Sequence, residues 1–145
     1  MSTTPTEFNA KVIDEFRANE GRVGGVFEGT PLLLVHHTGA KSGASRVTPV
    51  GYMRDEERYV IFASNGGAPR HPGWYRNLKA QPNARIEVGS QTLDVVAEQA
   101  TGDERERIFA LGAERFPQLA EFARKTDRLI PVIVLESRPS NGAHR

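Results

Sequence analysis

The chain has 145 residues, with nineteen basic and eighteen acidic side chains, four histidines and no cysteine. The lack of cysteine excludes disulfides, zinc–thiolate sites and a cysteine nucleophile, and points to a reducing, cytoplasmic setting. A formal net charge of +1 gives no broad attraction to nucleic acid. No stretch approaches the roughly 20 apolar residues that span a membrane, and the first residues lack a signal-peptide run.

Residues 7–19 place Phe8, Val12, Ile13 and Phe16 at helical spacing, which predicts an amphipathic helix. Such a face suits core packing; contact with a partner or a membrane surface is the other use. "PLLLVHHT" (31–38) is short and apolar, as a buried strand is. "GAKSGAS" (39–45) is a turn-rich loop. "RVTPVGYM" (46–53) reads as a strand whose Pro49 forbids a central place and predicts an edge or a bulge. "RDEE" (54–57) is a hairpin turn before the strand "RYVIFAS" (58–64). "PGWYRNLKAQ" predicts a short helix with Pro72 in its first turn. Residues 84–88 and 91–99 predict two strands joined by a tight turn at Gly89-Ser90. "TGDE" (101–104) has capping-box spacing and opens a helix through Ile108, Phe109 and Leu111. A further helix after Pro117 turns Leu119, Phe122 and Ala123 inward, and "IPVIVLE" (130–136) is the last strand. Residues 1–6 and 137–145 are expected to be loose tails.

A parallel sheet would need a helix between most strands, and this order lacks them. The pattern predicts one α+β domain over residues 1–145. Its antiparallel sheet closes into a small Greek-key barrel with helices outside.

Several chemistries find no support. There is no "GxSxG" elbow and no evident orienting acid for a serine triad. His36 and His37 are adjacent, so on a strand they face opposite ways and do not share one metal ion. Paired carboxylates are not evident. What remains are two glycine-rich turns carrying cations. "TGAKSG" brings Lys41, with Arg46 beyond it; "SNGGAPRHP" brings Arg70. Both could offer backbone N–H groups to an anion, and Trp74 adds a flat apolar wall. Ordinary turns with solvated cations would have the same composition, which names no ligand.

Three segments carry a resemblance: "PLLLVHHTGAKSGASRVTPVGYM", "YVIFASNGGAPRHPGWYRNLKAQPNARIEVG" and "KTDRLIPVIVLE". Together they resemble the deazaflavin-dependent nitroreductase and quinone-reductase family over roughly residues 8 to 136. The motif GG-x-P-x-H-P-x-W-x-x-N-L is its most specific part. The resemblance implies a split β-barrel like those of flavin-nucleotide oxidoreductases. It also implies coenzyme F420, an 8-hydroxy-5-deazaflavin with a phosphate and an acidic polyglutamate tail. The expected reaction passes a hydride to a quinone-like or other electron-poor acceptor.

By the same resemblance, Thr38, Gly39, Lys41, Ser42, Gly43 and Arg46 grip the phosphate and tail, with His37 beside them. Thr48, Pro49, Val50, Ala63, Ser64, Asn65, Gly66 and Gly67 line the ring, and Trp74 and Asn77 close the pocket. Family members that reduce bulky nitro compounds carry tyrosines where this chain has Phe116, Leu119 and Phe122. These form an apolar substrate pocket without a proton donor, which argues against the nitroimidazole class and leaves Ser64 or water as the donor, with Tyr52 as a further option. His36-His37 stand where threonines are usual. The expected partner is a small-molecule hydride acceptor, with a homodimer as a further option. The alternatives are an FMN oxidoreductase on the same barrel and a non-catalytic deazaflavin carrier.

Overall fold

The computed structural model describes residues 5–25, 29–64, 67 and 69–138. Strand β1 (Leu32–Thr38) organises two of its apolar layers. Alternation sends Leu32 and Leu34 to one face and Leu33, Val35 and His37 to the other. Leu32 and Leu34 cluster with Val12 and Phe16 of α1 (Pro5–Ala18), so that helix spends its apolar stripe on the sheet. Leu33 and Val35 join the main core with Ile61 of β4 (Arg58–Phe62), Ile86 of β5 (Asn83–Val88), Val95 of β6 (Gln91–Gln99) and Leu135 of β7 (Val132–Ser137). Helix α2 (Gly73–Ala80) seals this core with Trp74, Tyr75 and Leu78. A third cluster gathers Val60, Val132 and Val134 with Ile108 and Phe109 of α3 (Gly102–Arg115). Helix α4 (Pro117–Lys125) follows directly after Phe116.

The seven strands form one antiparallel sheet in the order β2-β1-β5-β6-β7-β4-β3. Its two edges, β2 (Ser45–Gly51) and β3 (Met53–Asp55), are separated in the chain only by Tyr52. Two peptide units reach at most about 7.6 Å, so the edges must come together there and the sheet must curl. The result is a barrel joined at one corner and split beyond it. The antiparallel split barrel with outlying helices is therefore the fold expected from the sequence.

Some local expectations need correcting. The predicted strand 46–53 divides at Tyr52, whose N–H donates to Pro31 O at 3.1 Å, so four strands precede α2 rather than three. The hairpin turn shrinks from four residues to Glu56-Glu57 because Arg54 and Asp55 pair with Tyr59 and Arg58. Pro49 does lie on an edge strand, opposite Leu34. The capping box does not form. Thr101 makes no side-chain cap, and Gly102 enters α3 in the left-handed region at φ 59°. Asp103 and Glu104 complement the helix dipole in the first turn instead. The supposed tails are shorter than expected. Helix α1 starts at Pro5, Ser137 pairs with Val95, and Arg138 N–H donates to Asp94 O. Residues 1–4 and 139–145 lie outside the described residues. No helix among the described residues is long and apolar enough to cross a membrane.

Candidate functional site

Two cavities adjoin at Pro72 and Trp74, which line both. One is a groove of about 1110 Å³, the other a chamber of about 470 Å³.

The groove is cationic. Lys41, Arg46, Arg70 and Arg76 line it, all of them exposed, and among the described residues its lining contains no carboxylate. The β1–β2 loop does not present an open nest of amides, however. Gly39 N–H donates to Ala44 O at 2.8 Å, Gly43 N–H to Gly39 O at 2.8 Å, and Ala44 N–H to Ser42 Oγ at 3.1 Å. Ala40 N–H goes to Asn77 Oδ1 at 2.9 Å. These four donors are spent on closing the loop and docking it on α2. Gly43 makes the closure possible by taking φ 74°. Anion affinity in the groove therefore falls to the side-chain cations.

His37 follows the inward parity of β1 and is 7% exposed. Its Nδ1 lies 2.9 Å from Asn77 Nδ2, and its Nε2 lies 2.9 Å from Thr48 Oγ1. Asn77 Oδ1 is already taken by Ala40 N–H, so Nδ2 must be the atom that faces His37, and it can only donate. Nδ1 is then an acceptor, and Nε2–H donates to Thr48. Burial, reinforced by Arg46 and His36, lowers the His37 pKa from 6.5 to about 4, in keeping with a neutral ring. His36 faces the other way. It donates from Nε2 to Glu87 Oε2 at 2.6 Å, and Arg17 grips the same carboxylate. The Arg17 hydrogen bond is the main cause of the lowered Glu87 pKa. This pair is no part of either cavity.

The chamber lies where the barrel splits. Edge strand β2 supplies Pro49, Val50 and Gly51; β4 and its exit supply Phe62 and Ser64. Phe116, Gln118, Leu119 and Phe122 form the wall at α4, and Thr30 completes the rim. Among the described residues its polar side chains are Ser64, Gln118 and Thr30, none of them ionisable.

The expected site residues thus separate. His37, Gly39, Lys41, Ser42, Arg46, Thr48 and Asn77 line the groove. Pro49, Val50, Ser64, Phe116, Leu119 and Phe122 line the chamber, and Trp74 serves both. Thr38, Gly43, Ala63 and Gly67 line neither. Ala63 is fully buried because it continues the inward series Tyr59, Ile61. Gly67, at φ 84°, packs under α4, where an added Cβ would meet Phe122 O and Lys125 at 3.1 Å. Asn65 and Gly66 lie outside the described residues. Among the lining residues that sequence reasoning missed are Phe62 and Arg76. Strand parity signals the first, since Phe62 alternates with Ala63. The second lies two positions after Trp74, on the exposed side of α2. Among the described residues, no group of three His, Asp or Glu side chains is placed to hold a metal.

These features define a split-barrel protein with an elongated cleft, basic at one end and apolar at the other. The model of the F420H(2)-dependent quinone reductase family matches residues 9–137, and the chain belongs to that family. It is 40% identical over 127 residues to an F420H(2)-dependent quinone reductase of Mycobacterium tuberculosis, covering 85% of each chain. Among solved structures, it resembles an F420-H2 dependent reductase at 43% identity and a TM-score of 0.67, over 73% of this chain and 94% of that one. It also resembles a domain-swapped dimer at 38% identity and a TM-score of 0.69, over 92% of this chain and all of the other.

Proposed function

We propose that the chain is an F420H2-dependent reductase of quinone-like acceptors. The observation that carries this reading is a carboxylate-free groove with four cations, continuous at Trp74 with an apolar chamber. That division suits coenzyme F420, which is polyanionic along its tail and flat and largely apolar at its ring. Lys41 and Arg46, together with Arg70 and Arg76, would hold the phosphate and glutamate carboxylates. Trp74, Pro49 and Val50 would hold the ring, and Phe116, Leu119 and Phe122 would receive the acceptor. When bound, the reduced cofactor supplies a hydride from C5.

The chain's own contribution is positional. Trp74 and the α4 wall bring donor and acceptor face to face and exclude water. A quinone that gains a hydride also needs one proton to become a hydroquinone. The Ser64 hydroxyl or solvent supplies it, since no acid among the described residues lines the chamber. The family relationship favours the deazaflavin over FMN, and the apolar chamber beside the groove favours turnover over simple carriage. A cytoplasmic setting and self-association, as in the domain-swapped relative, belong to the same reading.

The test is to titrate oxidised coenzyme F420 with the protein and follow its fluorescence, then to supply the reduced form with menadione. Saturable quenching and protein-dependent oxidation are expected. Unchanged fluorescence at high protein concentration would overturn the reading, and binding without turnover would favour the carrier.

A further inference from the structure

The groove also contains His71, a residue of the glycine–proline motif for which the mechanism above has no use. Arg128, 57 positions later, reaches it from the segment between α4 and β7. Its Nη1 lies 3.0 Å from His71 Nδ1 and donates to Ala63 O at 3.1 Å, while Nη2 donates to Ser64 O at 2.8 Å. A guanidinium has donors only, so His71 Nδ1 must be the acceptor and the ring's proton must sit on Nε2. A protonated ring would set N–H against N–H beside a fixed cation. His71 is accordingly lowered in pKa, first by burial and then by Arg128, Arg76 and Lys79. The ring is also fixed in direction, packed against Tyr75 with 4.6 Å between centroids. Nδ1 is engaged by Arg128, which is not part of the groove lining, and Nε2 has no protein partner among the described residues.

We propose that Arg128 sets the tautomer of His71 and so makes His71 Nε2–H a directed, uncharged donor to the anionic part of the cofactor, beside the groove's cations. This rests on the deazaflavin reading above. Lys41 and Arg46 sit on exposed, flexible side chains that attract negative charge with little direction. A neutral imidazole held by Arg128 at Nδ1 and packed against Tyr75 adds a donor of fixed geometry. Arg128 is then a positioning residue. The same guanidinium holds the backbone of Ser64 in the chamber wall and His71 in the groove wall, so it ties the two halves of the cleft together.

Two measurements test this. In wild type, imidazole ¹⁵N shifts should report an unprotonated Nδ1 and a protonated Nε2 on His71, and Arg128→Met should mix the tautomers. Equal tautomers in wild type would overturn the lock, whatever the cofactor does. The second measurement is the fluorescence Kd for oxidised coenzyme F420. Glutamine can place its amide N–H near the Nε2 position, whereas asparagine cannot reach it. His71→Asn should weaken binding about tenfold, the scale of a lost hydrogen bond to a charged group, while His71→Gln stays within about threefold. If wild type binds and the two variants have equal affinity, His71 is no donor and the inference fails. If wild type does not bind at all, the deazaflavin reading itself fails.

Discussion

The groove takes its cations from two short segments, Lys41 and Arg46 in one and Arg70 and Arg76 in the other, whereas the chamber draws its walls from β2, β4, the start of α2 and α4. The groove's charged groups are exposed and contribute little to the fold. The chamber's wall residues belong partly to the hydrophobic core: Leu119 is 4% exposed and Trp74 8%. A ligand's acidic end can therefore be gripped by residues that are free to change. On the proposed reading, the end that would choose an acceptor is tied to stability.

Trp74 belongs to both regions, so its loss should have the largest effect. Trp74→Ala should cost about 3–5 kcal/mol in urea unfolding, as a buried large aromatic does, and should remove cofactor binding as well. Trp74→Phe should keep the fold. A Trp74→Ala protein of unchanged stability would mean that the junction is not part of the core. Next in size is the groove alone. Lys41→Ala with Arg46→Ala should weaken binding of coenzyme F420 roughly 100-fold, two charge-assisted contacts' worth, with steeper loss for longer tails and at higher salt. The melting temperature should hardly move, because both side chains are exposed. A large drop in stability would break the distinction between the regions.

His37 tests the groove from the buried side. Folding favours its neutral ring, so between about 4 and 6.5 the native state holds fewer protons than the unfolded chain. Stability is then full above pH 6.5 and declines as pH falls towards 4. A shift of this size caps the loss at about 3 kcal/mol, and solvent in the adjoining groove brings it nearer about 2 kcal/mol. Urea midpoints should show this decline in wild type, and its absence in His37→Gln. Parallel pH profiles would mean that His37 titrates in the native state as it does in the unfolded chain.

Much of this architecture was legible because it follows local period. Alternation in "LLLVHHT" separates the α1 face from the barrel interior and sends His36 and His37 apart, as β1 does. Pro49 announces an edge strand from its missing donor alone. Other features depend on partners distant in sequence. The break at Tyr52 is a backbone donation to Pro31 O, to which no side chain points. The loop "TGAKSG" looks like an amide nest until its N–H groups are traced to Ala44 O, Gly39 O, Ser42 and Asn77. Taking "ASNGG" as a continuous lining overlooked strand parity, which puts Ala63 in the core and Phe62 and Ser64 on the chamber. Arg128 could not be assigned at all, since its role exists only where a distant segment meets Ala63, Ser64 and His71.

The smallest expected effect is also the cleanest separation of the two regions. Phe122 is half-buried on α4 and lines the chamber but not the groove. Phe122→Leu preserves an apolar wall and should cost less than about 1.5 kcal/mol of stability. It removes part of a flat surface against which a conjugated acceptor would stack, a loss on the scale of a single apolar contact. That should lower kcat/KM for menadione by roughly 3- to 10-fold. The Kd for oxidised coenzyme F420 should stay within about twofold, because on the proposed reading the cofactor's charged groups would be held by side chains of other segments. Equal losses in Kd and kcat/KM would place Phe122 against the cofactor ring. The acceptor would then have to approach from another wall of the chamber, and the division between a binding end and a selecting end would have to be redrawn around Trp74.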